Sequence, residues 1–122
     1  MKRIITIIIA LGLIVPAVAL ASRVATGSTR NALDRADAPL VPPGIPNRCL
    51  LAQVTTKDGG NWAEVGFNGY GRSCGRWAFN GVDIFRRARG RWHYVTGGSA
   101  GIPCGRVGIP VAVRQDLHLP CR

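Results

Sequence analysis

The stretch from Phe85 to Tyr94, FRRARGRWHY, combines four arginines with three aromatic residues. Guanidinium groups pair with phosphates and carboxylates, and aromatic rings stack on bases, so the composition favours a surface for nucleic acid or another anionic polymer. The spacing instead favours a β-hairpin with Arg89-Gly90 as its turn. In that hairpin the arginines surround a solvent-exposed turn, and Arg87 faces Trp92 as a cation–π pair. We therefore predict a hairpin here.

The turn also predicts the register of this hairpin. The facing pairs are Arg87–Trp92, Arg86–His93, Phe85–Tyr94 and Ile84–Val95. Because side chains alternate between the two faces of a strand, Ile84 and Val95 share one face, and Phe85 and Tyr94 share the other. The aromatic residues are therefore interpreted as strand residues with partners.

Basic residues of this hairpin and of the glycine-rich segment before it are the candidate binding residues. They could form one positive face with an aromatic ring for stacking. The candidates are Arg72, Arg76, Arg86, Arg87, Arg89, Arg91 and Trp92. We expect an anionic partner, which is a cell-envelope polymer, a membrane surface or an acidic protein. Nucleic acid is not expected, because the chain starts with an export signal and has no recognised nucleic-acid-binding motif.

The first 21 residues predict export. MKR is followed by an uncharged apolar run, 4–21, which contains a helix-breaking Pro16 and ends in Ala-Leu-Ala. This pattern is typical of a signal peptide, here cleaved after Ala21. An uncleaved membrane anchor is the alternative, since eighteen apolar residues can just span a bilayer. We expect a secreted protein or one of the extracytoplasmic cell envelope. Without the two basic residues of MKR, its net charge falls from +10 to +8.

Residues that could carry catalysis are few and scattered. The chain has two histidines and six acidic residues, and no motif places a serine on a nucleophile elbow. Asp34 and Asp37 are assigned to a tether, Asp58 to a turn and Asp116 to the flank of a helix. This leaves Glu64 and Asp83 on separate strands, with no evidence of a carboxylate dyad. The cysteines lack the CxxC spacing typical of zinc sites. We predict no catalytic residue, no metal site and no cofactor, and interpret the chain as a non-enzyme.

Proline divides the remaining chain into a tether and a domain. The segment PLVPPGIP has four prolines in eight residues, which excludes a regular helix or a central strand. We interpret 22–47 as a Pro-rich, partly disordered tether, in which Arg30 to Asp37 could form a short helix. A disulfide-stapled globular domain is predicted over 48–122.

The domain begins with a second predicted hairpin. KDGG separates two apolar runs, with Asp58-Gly59 as a type I′ turn candidate. The predicted facing pairs on one face are Val54–Ala63, Ala52–Val65 and Leu50–Phe67, with Gln53–Glu64 and Thr55–Trp62 on the other. Turn and alternation are independent signals that agree on this register.

Four cysteines in a small exported domain indicate two disulfides. The hairpin register brings Cys49 close to the loop that carries Cys74, and Cys104 and Cys121 flank a helix predicted from Pro110 to Leu117. Of the three pairings that four cysteines allow, we favour Cys49–Cys74 and Cys104–Cys121. The predicted fold class is α+β or mostly β, with a small antiparallel sheet of about four strands and a short C-terminal helix.

The segments CLLAQVTTKDGGNWAEVGF, GVDIFRRARGRWHYVTGGS and the Cys-bracketed VAVRQDL carry a family resemblance over 49–122. This region resembles small secreted proteins of high-GC Gram-positive bacteria that have no known activity. The resemblance implies an exported, disulfide-containing, β-rich domain. It transfers no functional residue.

These observations favour a monomeric, non-enzymatic binding or envelope-associated module with an Arg-rich face. An inhibitor that presents the glycine-rich loop at 68–81 to a secreted hydrolase is the alternative. The two differ in salt dependence, because charge-driven binding is screened by salt and insertion of a loop into a cleft is much less so.

Overall fold

The fold is a five-stranded antiparallel sheet with one helix on each face. The computed structural model describes residues 22–69, 73–77 and 79–122. The strands lie in chain order: β1 (Arg23–Val24), β2 (Leu50–Val54), β3 (Trp62–Phe67), β4 (Val82–Ala88) and β5 (Arg91–Gly98). The helices are α1 (Gly27–Asp37) and α2 (Val111–Asp116). The predicted fold class is confirmed, and β1 adds an edge strand to the expected four.

The predicted signal peptide, 1–21, lies outside the described residues, as does Arg72. Within the described ranges, neither helix combines the length and hydrophobicity that a membrane span requires.

The β2–β3 hairpin has the predicted register. Val54 pairs with Ala63, Ala52 with Val65 and Leu50 with Phe67. The turn is closed by the amide of Gly60, which donates to the carbonyl of Lys57 at 2.9 Å. Asp58 and Gly59 both adopt positive φ, 47° and 65°, as a type I′ turn requires.

The β4–β5 hairpin has the predicted turn and the predicted register near its tip. Arg89 and Gly90 have φ of 53° and 72°, and the pairs Arg87–Trp92, Arg86–His93 and Phe85–Tyr94 all form. The prediction that Ile84 faces Val95 is wrong, because a bulge between Ile84 and Phe85 pairs Ile84 with Thr96. A bulge inserts one residue into one strand, so it shifts the register beyond it.

Alternation along the strands produces two hydrophobic cores. The helix-side core lies between the sheet and α1 and contains Ala25, Leu33, Leu50, Ala52, Val54, Ala63, Val65 and Phe85. The C-terminal core lies on the opposite face and contains Trp62, Ile84, Ile102, Cys104, Ile109, Val113 and Leu117. Each face of the sheet is therefore covered, as a small antiparallel sheet with apolar residues on both sides requires.

Much of the segment expected to be a tether is an integral part of this fold. Strand β1 pairs with β2, and α1 buries Leu33 completely in the helix-side core. Val41 and Ile45, from the Pro-rich stretch, pack against the same core. The helix predicted from Arg30 begins three residues earlier, at Gly27. The sequence pattern does not predict that α1 packs on the sheet, because the apolar stripe of this helix is short and one of its buried positions is occupied by the acidic residue Asp37.

Both predicted disulfides are present. Cys49 bonds Cys74 and Cys104 bonds Cys121. The second disulfide closes the segment that contains α2, whose N-cap is the predicted Pro110. Two disulfides indicate folding in an oxidising, extracytoplasmic environment.

Candidate anion-binding groove and buried carboxyl pair

A groove of about 550 Å³ lies between α1 and the tip of the β4–β5 hairpin. We call it the arginine groove. Its polar and aromatic lining comes from Ser28, Thr29, Arg35, Arg87, Arg91 and Trp92. Helix docking and the hairpin turn together create it, because one wall is helical and the other is formed by the hairpin. Two elements that are distant in the sequence thus place three arginines and one tryptophan around the same groove.

Arg87 is held in the arginine groove from two sides. Its guanidinium carbon lies 5.6 Å from the ring centroid of Trp92, within the range of cation–π contacts. Its backbone amide donates to the carbonyl of Asn61 at 2.7 Å, which fixes the strand at this point. Trp92 packs against the edge of the helix-side core, so the ring is a firm support for the guanidinium.

The arginine groove continues into a cavity of about 240 Å³ that shares Thr29, Arg87 and Trp92 with it and adds Arg23 from β1. None of the described residues that line either space is acidic. Among the described residues the ion pair is Arg30–Asp34, at 2.8 Å, so the arginines of the groove have no carboxylate partner there. The first turn of α1 borders the groove, and it has no acidic residue and no side-chain cap. The local potential is therefore positive.

The predicted arginines do not form one continuous face. Arg87, Arg91 and Trp92 meet in the arginine groove. Arg86 lies over Trp62 at 5.6 Å, on the opposite face of the sheet. Arg76 stacks on Trp77 at 4.9 Å in a short 3₁₀ turn, Arg89 occupies the hairpin turn, and neither lines the groove.

Two arginines of this region escaped sequence reasoning. Arg23 and Arg35 lie in the segment interpreted as a tether, and they join the positive region only because β1 and α1 dock on the sheet. No local sequence signal marks them, because their positions follow from the docking of α1, which buries Leu33, and from the pairing of β1 with β2.

A buried carboxyl pair lies at the other end of α1. Asp37, its last residue, is fully buried, and neither of its carboxyl oxygens receives a hydrogen bond from a donor among the described residues. Burial raises the pKa of Asp37 to about 8, with further contributions from a hydrogen bond and the charge of Asp83 and from the charge of Asp34. A hydrogen bond between two carboxyl groups needs a proton, and the raised pKa of Asp37 places that proton on Asp37.

Asp83 has a second close neighbour in Tyr94. A Cβ atom at Gly97 would lie 2.5 Å from Oδ1 of Asp83 and 3.1 Å from the hydroxyl of Tyr94, so both groups lie against the same glycine. Burial, then the charges of Asp83 and Asp37, raise the pKa of Tyr94. Gly97 is therefore the residue that leaves room for this arrangement.

The interpretation that Asp83 stands alone is wrong. The structure pairs it with Asp37, because α1 is docked rather than part of a tether. Asp83 also lines a cavity of about 210 Å³, called here the acidic cavity, together with apolar residues from the Pro-rich stretch and from 79–82. An adjoining cavity of about 300 Å³ contains Glu64, whose pKa burial raises to about 7.

The remaining carboxyl groups have structural partners. Asp116 accepts hydrogen bonds from the hydroxyl of Thr55 at 2.6 Å and the amide of Thr56 at 3.1 Å. Burial alone would raise the pKa of Asp116, but these hydrogen bonds lower it below its ordinary value. Asp58 accepts from the indole N–H of Trp62 at 2.7 Å. Across the ranges that the structure describes, no three His, Cys, Asp or Glu residues are grouped to hold a metal ion.

The described part of the glycine-rich loop packs on the domain. Cys74 ties the loop to Cys49, and Phe79 contacts Phe67 with ring centroids 5.5 Å apart. Trp77 lies against the backbone of Gly44. Residues 70–72 and 78 of this loop are outside the described ranges.

Both sites rest on the geometry of this chain itself. Comparison of the chain with protein-family models, curated proteins and solved structures finds no significant match.

Proposed function

We propose that this protein is an exported, non-enzymatic binding module that holds an anionic polymer of the cell envelope in the arginine groove. The observation that carries the proposal is that Arg35, Arg87, Arg91 and Trp92 line one groove, whose described lining includes no acidic residue. Guanidinium groups are weakly hydrated and present planar donors, which suits them to phosphate and carboxylate oxygens.

The groove offers three kinds of contact to a repeating anion. Its guanidinium groups supply charge-assisted hydrogen bonds, and its hydroxyl groups, Ser28 and Thr29, add neutral ones. The half-buried ring of Trp92 adds an apolar surface that part of the polymer can contact.

Export is the second part of the proposal. The apolar run at 4–21 has the form of a signal peptide, and both disulfides suit the oxidising side of the membrane. We expect the exported protein to begin at Ser22, which N-terminal sequencing would test. Recovery of the protein with Met1 in the membrane fraction would instead make it a membrane-anchored module.

Binding is tested with two charge-matched variants. Arg87→Gln/Arg91→Gln removes two charges from the groove, and Arg48→Gln/Arg106→Gln removes two exposed charges elsewhere. With long-chain polyphosphate as the probe and neutral dextran as its control, calorimetry at low salt should show about a tenfold greater loss of affinity for the groove variant. Affinity of the wild type should fall steeply between about 0.05 and 0.5 M salt.

Equal losses in the two variants would contradict the proposal, since they would indicate attraction by net charge alone. Binding that is insensitive to salt would contradict it as well, and would favour a loop inserted into the cleft of a protein partner.

A further inference from the structure

We propose that the acidic cavity binds a primary ammonium group carried on an alkyl chain, with Asp83 as its acceptor and Asp37 behind Asp83 as a proton-linked partner. The site is separate from the arginine groove and independent of the function proposed for it. The proposal stands on three observations: the cavity of about 210 Å³, the carboxyl group that lines it, and the buried carboxyl group without a donor behind it.

The carboxyl pair is not explained by folding. Burying a carboxyl group without donors destabilises the native state, and an amide or apolar residue at position 37 would avoid that loss. Asp37 is nevertheless completely buried, and only a shared proton satisfies it. Ionisable groups held in this way are more frequent at functional sites than in ordinary cores.

No cation of the protein neutralises the pair in the described structure. The groups that face Asp37 are Asp34 on its own helix, Asp83 on β4 and Tyr94 on β5. Arg35 lies in the last turn of α1 but lines the arginine groove. Arg30, further towards the start of the helix, is paired with Asp34 at 2.8 Å and donates to the carbonyls of Asn47 and Leu50. In a chain with sixteen Lys and Arg residues, the counter-charge at this position is left to a proton or to a ligand.

The lining of the cavity specifies the class of ligand. Its apolar walls are Leu40, Val41, Pro42, Phe79 and Val82, which suit a short alkyl chain. Asp83 and the neighbouring Asn80 provide the polar end, where an ammonium group can donate hydrogen bonds. A hard metal cation needs six or more oxygen ligands, which two carboxyl groups in an apolar cavity do not supply. An alkylammonium, such as a lysine side chain, matches both parts.

Proton linkage follows from the same arrangement. The pair has two states, one in which Asp37 keeps its proton and a second, more negative by one charge, in which Asp37 has lost it. A bound ammonium group favours the second state, so binding releases part of one proton and affinity rises with pH through the titration of Asp37.

The test is an NMR titration of the oxidised protein with n-butylammonium chloride, with n-butanol as the uncharged probe of equal chain length. Shifts should be confined to 40–42, 79–83 and 97–98, and n-butanol should bind at least about tenfold more weakly. Asp83→Asn should lower the affinity for n-butylammonium by at least about tenfold. Glu64→Gln, in the adjoining cavity, should leave the affinity unchanged, as should Arg87→Gln/Arg91→Gln.

A second variant keeps the test decisive if Asp83→Asn does not fold. Asp37→Asn retains Asp83 and should still bind n-butylammonium, but without the several-fold rise in affinity that the wild type shows between about pH 6 and about pH 9. The proposal is overturned if n-butanol binds as well as n-butylammonium, if the shifts map to Glu64 or Asp58, or if Asp37→Asn keeps the pH dependence of the wild type.

Discussion

The two ends of α1 lie beside ionisable groups of opposite type, which are exposed at one end and buried at the other. Near its first turn, Arg87 and Arg91 face solvent in a groove without acidic residues. At its last residue, Asp37 is fully buried against Asp83. In each case the sign is the one that the helix dipole disfavours, since the N-terminal end of a helix is positive and the C-terminal end is negative.

Solvent explains why one end stays charged and the other does not. Exposed guanidinium groups keep their hydration, so like charges near a helix end cost only tenths of a kcal/mol. A buried carboxylate loses its hydration and is held as the protonated acid, which appears as the pKa of about 8 for Asp37. The exposed end can bind an anion without reorganisation, whereas the buried end couples any cation to a proton. The predictions below test this contrast, from the largest expected effect to the smallest.

Reduction of the two disulfides should unfold the domain and thereby remove both the arginine groove and the buried carboxyl pair. The disulfides close segments with sequence separations of 25 and 17 residues, and each contributes about 3 kcal/mol in the chain-entropy model. This sum is a large part of the stability of a domain of about 100 residues. Loss of far-ultraviolet structure and of polyphosphate binding on adding reductant would agree. A reduced protein that keeps its native spectrum would show that α1 and the sheet hold each other without the disulfides.

Leu33→Ala should release α1 while leaving the sheet. Leu33 is the fully buried leucine of this helix, and its truncation should lower the free energy of unfolding by about 2–5 kcal/mol. Denaturant titration gives the value, and Val111→Ala is a control because Val111 is exposed on α2. If binding of polyphosphate survives undocking of α1, the groove does not depend on the helix as described.

How far the sequence predicts this fold depends on how local the signal is. The β2–β3 register follows from a turn and an alternation that are both within twenty residues, and it is confirmed. The β4–β5 register holds only from the turn to Phe85–Tyr94, because a bulge has no comparable sequence signature. The Cys49–Cys74 pairing follows from the hairpin register and the Cys104–Cys121 pairing from the helix that these cysteines flank, and both are confirmed.

The two sites were less predictable because each combines distant segments. Arg87 and Trp92 could be paired from the hairpin alone, but Arg35 joins them only through docking of α1. The pairing of Asp37 with Asp83 was missed for the same reason. Proline and polar residues in 22–47 are typical of a tether, and the burial of a single leucine outweighs that local signal.

Asp37→Asn should change the pH dependence of stability at the buried end. Between its ordinary value of 3.8 and about 8, native Asp37 holds a proton that the unfolded chain has released, so the free energy of unfolding falls as pH rises through this window. Asparagine can still donate to Asp83 and cannot ionise. The free energy of unfolding of the variant should therefore exceed that of the wild type by at least about 1 kcal/mol at about pH 9, and the two values should differ little near pH 4.

Thermal denaturation across this pH range measures the effect. Burial raises the pKa of Glu64 to about 7, so Glu64 also lowers the free energy of unfolding as pH rises, but only up to about pH 7. The difference between the two proteins above pH 7 therefore belongs to Asp37, and Glu64→Gln serves as the control. Parallel curves for the wild type and Asp37→Asn would mean that the carboxyl pair is hydrated.

At the exposed end, Arg87→Gln/Arg91→Gln should change stability least. Exposed charges usually contribute no more than about 0.5 kcal/mol, and removing two like charges beside the first turn of α1 relieves a small repulsion. The melting temperature should therefore be unchanged or slightly higher, while affinity for polyphosphate falls. Trp92→Ala is the contrast, because Trp92 is half-buried at the edge of the helix-side core and its loss should cost about 1–3 kcal/mol. A double arginine variant that unfolds while Trp92→Ala remains stable would mean that these arginines support the fold, and the difference between the two ends of α1 would disappear.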